Sequence, residues 1–261
     1  MIEFLKLLYS FKGILFYRTL ASLRADVRGL YLGYAWWLLE PIFNTILYYC
    51  IFGLLLGTKK PDFIGYLLLG STIYQWFSTA INKNIGSITA KARIYRQIHL
   101  PKFLFSLVGI FSTLWKFVCV SSIIFIYIII TSGVSIGWHL LWLPFLTLVQ
   151  LFVIFGFAIN LSIFAAYIRD LQTFVTVLFR AVMFLSAIFW DVEKVPDHLR
   201  TLFFANPVAN LIHAFRAVIL HGESPIFSHM IYLIVLSVVM IQFGMWLHRR
   251  VDGHILKHVQ S

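Results

Sequence analysis

Charge is scarce in this sequence. Only 12% of its 261 residues are charged, and just 10 are acids, whereas 61% are hydrophobic. So few ionic groups cannot coat a soluble surface, and so much apolar matter cannot fit inside one core. An ordinary soluble domain is excluded, and the chain leaves no room for an additional one of usual size. Cysteine is nearly missing. Cys50 and Cys119 both fall in apolar runs and read as small buried residues rather than a disulfide or metal pair. No G-x-x-x-x-G-K-[ST] phosphate loop occurs, and the nearest glycine-rich run, 65–71, lacks the lysine. The nine histidines are scattered and form no metal-ligand spacing. His248 and Asp252, four apart, can meet on a helix, but a solvated helix end accounts for them. No nucleophile and base stand together. The apolar start is broken by Glu3, Lys6 and Lys12, unlike a cleaved signal peptide. These absences argue against a catalytic chain, and none of them supplies a nucleotide site.

What the sequence has is apolar length. Residues 28–57 form a run of about 30 residues, which at ~1.5 Å each exceeds a ~30 Å hydrocarbon layer. Its charges, Arg28 and Glu40, lie in the first half. Tyr31, Tyr34, Trp36 and Trp37 crowd its entry, as aromatics do at a membrane–water interface, and Pro41 is expected to kink it. Five similar runs follow. The expectation is an all-α polytopic membrane protein with six transmembrane helices, at about 30–57, 63–90, 103–131, 140–168, 171–190 and 230–247. Ahead of them, residues 4–22 set Lys6, Ser10, Gly13 and Tyr17 on one helical stripe among Phe and Leu. That pattern suits a helix lying in the interface. The chain thus divides into 1–28, an amphipathic interface helix with a cytoplasmic linker, and 29–261, a six-span domain.

Basic residues orient the spans. With the N-terminus in the cytoplasm, fourteen of the 21 lysines and arginines fall on inside segments and five outside, while Lys116 and Arg180 lie within spans. The bias places both termini in the cytoplasm. It also accounts for the net charge of +11 as a topology signal facing anionic lipid, with no nucleic acid required.

The one long loop, 191–228, is too apolar for a plain loop. Two short apolar stretches, split at Asn206 and Pro207, predict two short re-entrant helices between spans five and six. Asn206 should cap the second and Pro207 open its first turn. A hairpin lying flat on the membrane is the alternative. Within the spans, Arg180 falls near the bilayer centre, where insertion costs roughly 2.5–3.5 kcal/mol, so it should face protein or water. Lys116 is similarly central, and Glu40 lies about two turns into the first span. A purely structural partner is the plainer role for each. Aromatics, 18% of residues, are mostly lipid-facing bulk. Tyr34, Trp36, Trp37 and Tyr48, beside an acid and a proline, are better placed to stack on a sugar. Gly29-x-x-x-Gly33 and Gly53-x-x-x-Gly57 are candidate close-approach points between helices.

Several of these stretches together resemble a known family. Leu32-Gly33, Trp36-Trp37, Glu40-Pro41 and Phe52-Gly53, in that order, resemble the first span of ABC-2 type polysaccharide exporter permeases, the membrane subunits of O-antigen, capsule and teichoic-acid transporters. The basic segment ending His99-Leu100-Pro101-Lys102 resembles the family's cytoplasmic coupling segment. Tyr167-Ile168-Arg169-Asp170-Leu171 resembles its return before span five, and Val195-Pro196, Asn206-Pro207 and Arg216 resemble its last external loop. The likeness covers nearly the whole chain. One departure is Leu185-Ser186-Ala187, where many members carry Pro or Gly after the Ser.

The resemblance implies a multi-pass permease of the cell inner membrane that exports a lipid-linked, O-antigen-like polysaccharide. It implies a second copy of the chain and two separate ATPase subunits, with ATP and Mg on those partners and no cofactor in this chain. The substrate would be a polyprenyl-linked glycan. Its path would run between spans one and five of the dimer, past Tyr34, Trp36, Trp37, Glu40 and Tyr48 on one side and Arg180, Phe184 and Phe189 on the other. Arg180 would hold the closed gate through carbonyl or Glu40 contacts. Coupling to the ATPase would use Arg93, Ile94, Tyr95, Arg96, Ile98, His99, Leu100 and Pro101. The external re-entrant loop would be set by Pro196, Asn206, Pro207 and Arg216. Two readings stand beside this one: an ABC-2 exporter of a small lipid or drug, and a membrane-embedded glycan-modifying enzyme.

Overall fold

Polar side chains mark the helix on which the others are assembled. A computed structural model describes residues 11–58, 62–86, 103–133, 137–168 and 170–258. Among the described residues the chain is all-helical, with no strand. The helices are α1 (Lys12–Val27), α2 (Trp36–Tyr48), α3 (Phe63–Ile85), α4 (Phe103–Ser132), α5 (Trp142–Tyr167), α6 (Leu171–Leu185), α7 (Asp197–Phe204), α8 (Pro207–Leu220) and α9 (Phe227–His258). Helix α3 is the central one, packed against α2, α4, α5, α6 and α8 and buried over most of its length. Its polar groups are served locally or by neighbours. Thr72 donates to the Leu68 carbonyl at 2.7 Å, Tyr74 to the Phe179 carbonyl at 2.5 Å, and Gln150 reaches the Ile73 carbonyl at 3.0 Å. Protein surrounds α3, so it can carry Gln, Asn and Lys that a lipid-facing helix cannot.

Among the described residues, four helical stretches are long and apolar enough to cross a membrane: Gly33–Leu55, Ser106–Thr131, Trp138–Tyr167 and Phe227–His248. The bent pair α7 and α8 makes a fifth if counted as one broken span. This is a multi-pass membrane protein. Of the six runs in the sequence, α3 falls short by polarity and α6 by length, with 15 residues. Residues 186–190, expected to continue span five, turn back instead. Ala187 takes a positive φ of 51°, and Ser186 bonds to the Val182 carbonyl at 2.6 Å. Apolarity continues there after the helix has ended.

The first span is irregular. A 3-10 turn at Gly33–Ala35 leads into α2, which runs through Pro41 to Tyr48 and passes into a π-helical stretch at Tyr49–Leu55. The paired glycines here bring no second helix close within this chain. Gly29 and Gly33 have φ of 83° and 48°, conformations that cost other residues about 1–2 kcal/mol, and they turn the chain from α1 into α2. Close approach occurs elsewhere, between α5 and α9. A Cβ on Gly244 would stand 2.5 Å from Ile159, and one on Gly156 would stand 2.8 Å from Met240. Asn160 seals this crossing by donating to the Met240 carbonyl at 2.8 Å. The cysteines also differ from expectation, since Cys50 and Cys119 are both exposed and free, on the outer faces of their helices.

The loop after α6 forms two helices whose axes bend by 99°. Asn206 caps α8 by accepting from the Val208 amide at 2.9 Å, and Pro207 fills the first position, as the sequence predicts. Helix α7 lies exposed, whereas α8 is driven into the core with Phe215, Leu211 and Val218 fully buried.

Candidate functional site

A wide polar space lies between the end of α1, the start of α2, and α3 and α4. It is a cavity of about 680 Å³ lined by Trp36, Trp37, Glu40, Lys83, Lys116 and Asp26, with Ser78, Thr79, Asn82, Ser112, Thr113 and Gln172 between them. Two ion pairs cross it. Lys83 meets Asp26 at 2.7 Å, tying α3 to α1, and Lys116 meets Glu40 at 3.1 Å, tying α4 to α2. All four groups keep partial exposure, so their charges remain hydrated through the cavity. Each long side chain reaches there because helix spacing puts Lys83, Thr79 and Asn82 on one face of α3, and Ser112, Thr113 and Lys116 on one face of α4.

The eight expected path residues separate into two groups and one outlier. Tyr34, Trp36, Trp37 and Glu40 gather at the cavity, with the Tyr34 and Trp37 rings edge to face at 4.9 Å. Tyr48, Phe184 and Phe189 gather further along. Phe189 is buried, edge to face with Tyr48 at 4.8 Å, stacked on Phe52 at 4.5 Å, and 5.3 Å from Phe184. The first span and the end of α6 are therefore neighbours within one chain, and Tyr48 donates to the Met183 sulfur at 3.6 Å. Arg180 stands apart from both. It is exposed on α6 and takes no part in the hydrogen bonds or ion pairs found among the described residues. Within one chain Arg180 does not pair with Glu40, which is held by Lys116. The expected coupling residues, Arg93 to Pro101, lie outside the described residues.

The outer loop residues divide too. Pro196, Asn206 and Pro207 border a second cavity of about 600 Å³, walled by Val182, Leu185, Trp190 and Phe203. Asn206 also donates to the Ser186 hydroxyl at 2.9 Å. Arg216, expected on the external re-entrant loop, is buried in the core. Its guanidinium donates to the carbonyls of Ala187 at 2.6 Å, Ile188 at 3.1 Å and Tyr66 at 3.1 Å, and stacks on the Tyr66 ring at 3.3 Å. Gly70 leaves the room, as a Cβ there would stand 2.6 Å from the guanidinium. Sequence reasoning missed this node and the Asp26–Lys83 pair. The available signal for Arg216 was its setting, a lone cation flanked by Ala, Phe, Val and Ile.

The sequence model of the ABC-2 type transporter family matches residues 19–220. The chain is 24% identical over 207 residues to an O-antigen export system permease protein, RfbA, of Klebsiella pneumoniae, covering 78% of this chain and 79% of that one. It is 24% identical over 247 residues to the RfbA of Myxococcus xanthus, covering 92% and 93%. It is 23% identical over 225 residues to the polysialic acid transport protein KpsM of Escherichia coli, covering 84% and 85%.

Proposed function

This chain belongs to the ABC-2 type transporter family, and from that premise we propose that it is the membrane permease of an ABC exporter of lipid-linked polysaccharide. The observation that carries the reading is the end-to-end likeness to permeases named for O-antigen export, which spans over nine-tenths of both chains in one case. The cargo is an O-antigen-like glycan on a polyprenyl carrier, and the membrane is the cell inner membrane. Two ATPase subunits bind ATP and Mg and drive a pair of these permeases. Their contact is the segment 91–102, with Tyr95, Ile94, Ile98 and Leu100 as apolar anchors and Arg93, Arg96, His99 and Pro101 around them.

Six spans follow from the same reading: the irregular first helix through α2, then α3, α4, α5, α6 and α9. Helix α1 lies in the interface, both termini are cytoplasmic, and α7 with α8 forms a re-entrant pair. The 99° bend and the burial of α8 support re-entry over a flat hairpin. The glycan path lies between the exposed faces of α2 and α6 in a dimer. Tyr34, Trp36, Phe184 and Arg180 face it, and Trp37, Glu40, Tyr48 and Phe189 back it. Deleting the gene tests the function. The expected result is loss of surface polysaccharide with lipid-linked glycan accumulating in the cytoplasm, restored by the intact chain. Normal surface polysaccharide in the deletion strain sinks the proposal.

A further inference from the structure

The polar cavity does not end at its two ion pairs. Trp37, Thr79, Thr113 and Lys116 also line a narrow neck of about 40 Å³ that leads on to Thr72 and Val120. One helical turn further, α2, α3 and α4 enclose an apolar cleft of about 310 Å³, walled by Leu38, Ile42, Ile46, Leu68, Ile123 and Tyr127. Ile46, Ile123 and Tyr127 are each about half exposed, so this cleft opens sideways to the surroundings of the bundle. Polar cavity, neck and cleft follow one line between α2 and the α3–α4 pair. Along α3 they run from Lys83 to Ile64, roughly 28 Å at the helical rise. A polar chamber grading into an apolar cleft open to the bilayer has the form of a site for one amphiphile.

We propose that this groove binds a single bilayer phospholipid with a zwitterionic, phosphate–ammonium head, a ligand distinct from the cargo. Charge balance selects the head. Asp26 and Glu40 stand against Lys83 and Lys116, so the chamber is neutral. The lipid phosphate takes Lys116 and its ammonium takes Glu40, while Asp26 and Lys83 repeat the pattern at the mouth. Partners exchange, and no charge is left unmatched in a region where an unpaired one is costly. A net anionic lipid or a polyprenyl diphosphate brings negative charge that meets, among the described lining residues, no cation beyond Lys83 and Lys116, and it faces two carboxylates. Ser78, Thr79, Ser112 and Thr113 supply hydroxyls along the descent from mouth to neck. One acyl chain lies in the cleft against Ile42, Leu68 and Ile123.

The test uses the full chain, extracted in mild detergent from membranes that contain phosphatidylethanolamine, phosphatidylglycerol and polyprenyl phosphates. Co-purifying lipid is quantified by mass spectrometry. One phosphatidylethanolamine per chain is expected, enriched several-fold over the bulk membrane. Replacing the deep pair, Glu40→Gln with Lys116→Gln, should lower its retention several-fold, while Lys116→Arg keeps it. Ile123→Trp fills the cleft from an exposed position and should lower retention with both ion pairs intact. Bound lipid of bulk composition, enrichment of phosphatidylglycerol or polyprenyl phosphate, or retention unchanged in both variants overturns the proposal. So does cross-linking of two copies through Ile46→Cys with no lipid retained, because a second copy then covers the cleft. Export is not read in this assay, so the lipid site and the transport function can fail separately.

Discussion

Arg216 shows how one buried cation organises several elements. Its three carbonyl acceptors belong to the turn after α6 and to α3, while the residue itself sits on α8. Asp191 adds favourable charge nearby. The guanidinium is a planar fork that serves three acceptors at once, which an ammonium on a flexible stem cannot do. Removing it takes a charged donor from three buried carbonyls, of which that of Ala187 keeps only the Tyr66 hydroxyl at 3.4 Å. Arg216→Ala is therefore expected to destabilise the fold by about 3–5 kcal/mol, with Arg216→Lys intermediate. Thermal unfolding in detergent measures this, and an unchanged transition in Arg216→Ala refutes the account. The same turn holds Ala187 at positive φ. Ala187→Gly relieves the left-handed strain and should raise stability by about 0.5–1 kcal/mol, the strain removed less the added chain entropy. Neither feature was legible in the sequence. The sequence puts Arg216 on the external loop without showing which carbonyls it serves, and backbone sign leaves no mark on an alanine.

At the scale of elements, what the sequence displays is apolar length, and length alone places α2, α4, α5 and α9. The neighbours each span chooses are not displayed. Lipid tails are as apolar as leucine, so helices associate through fit and hydrogen bonds rather than through hydrophobic burial. The fit between α5 and α9 depends on Gly156 and Gly244, which sit in apolar runs without local signature, whereas the conspicuous Gly29 and Gly33 turned out to serve a turn. Helix α3 was legible as a run but not as the centre, because its Gln, Ser and Thr content looks like a weaker span until protein is found along most of its length. Lys116 and Glu40 were legible as intramembrane ions, and their pairing with one another was not, since 76 positions separate them. Gly244→Leu forces a side chain into Ile159 and Asn160 and should cost about 1–3 kcal/mol by overpacking. The expected reading is a lower yield of monodisperse protein and an earlier thermal transition. Gly29→Ala should leave the α5–α9 contact intact and lose stability only through turn strain. Equal thermal behaviour of Gly244→Leu and the unmodified chain would contradict the packing argument.

The whole molecule presents an imbalance that a single chain does not resolve. Its first span and α6 keep broad exposed faces, and α6 adds Arg180 to a surface of Phe174, Val177, Leu178 and Phe184. Against hydrocarbon that charge costs roughly 2.5–3.5 kcal/mol. Against a second copy, or a water-filled path between copies, it is matched. The proposed gate therefore takes carbonyls of a facing helix as the ligands of Arg180, since Glu40 is occupied by Lys116, and has them let go as the ATPase opens it. This fixes an order among substitutions. Arg180→Ala loses both charge and fork, and is expected to leak ions in proteoliposomes or to stall export, whereas Arg180→Lys keeps the charge and falls between. Ion flux into vesicles and surface polysaccharide on cells are measured side by side, with the ATPase subunits present in both. A shared loss in Ala with partial recovery in Lys supports a gate. Normal export without leak in Arg180→Ala refutes it and turns that face of α6 to lipid.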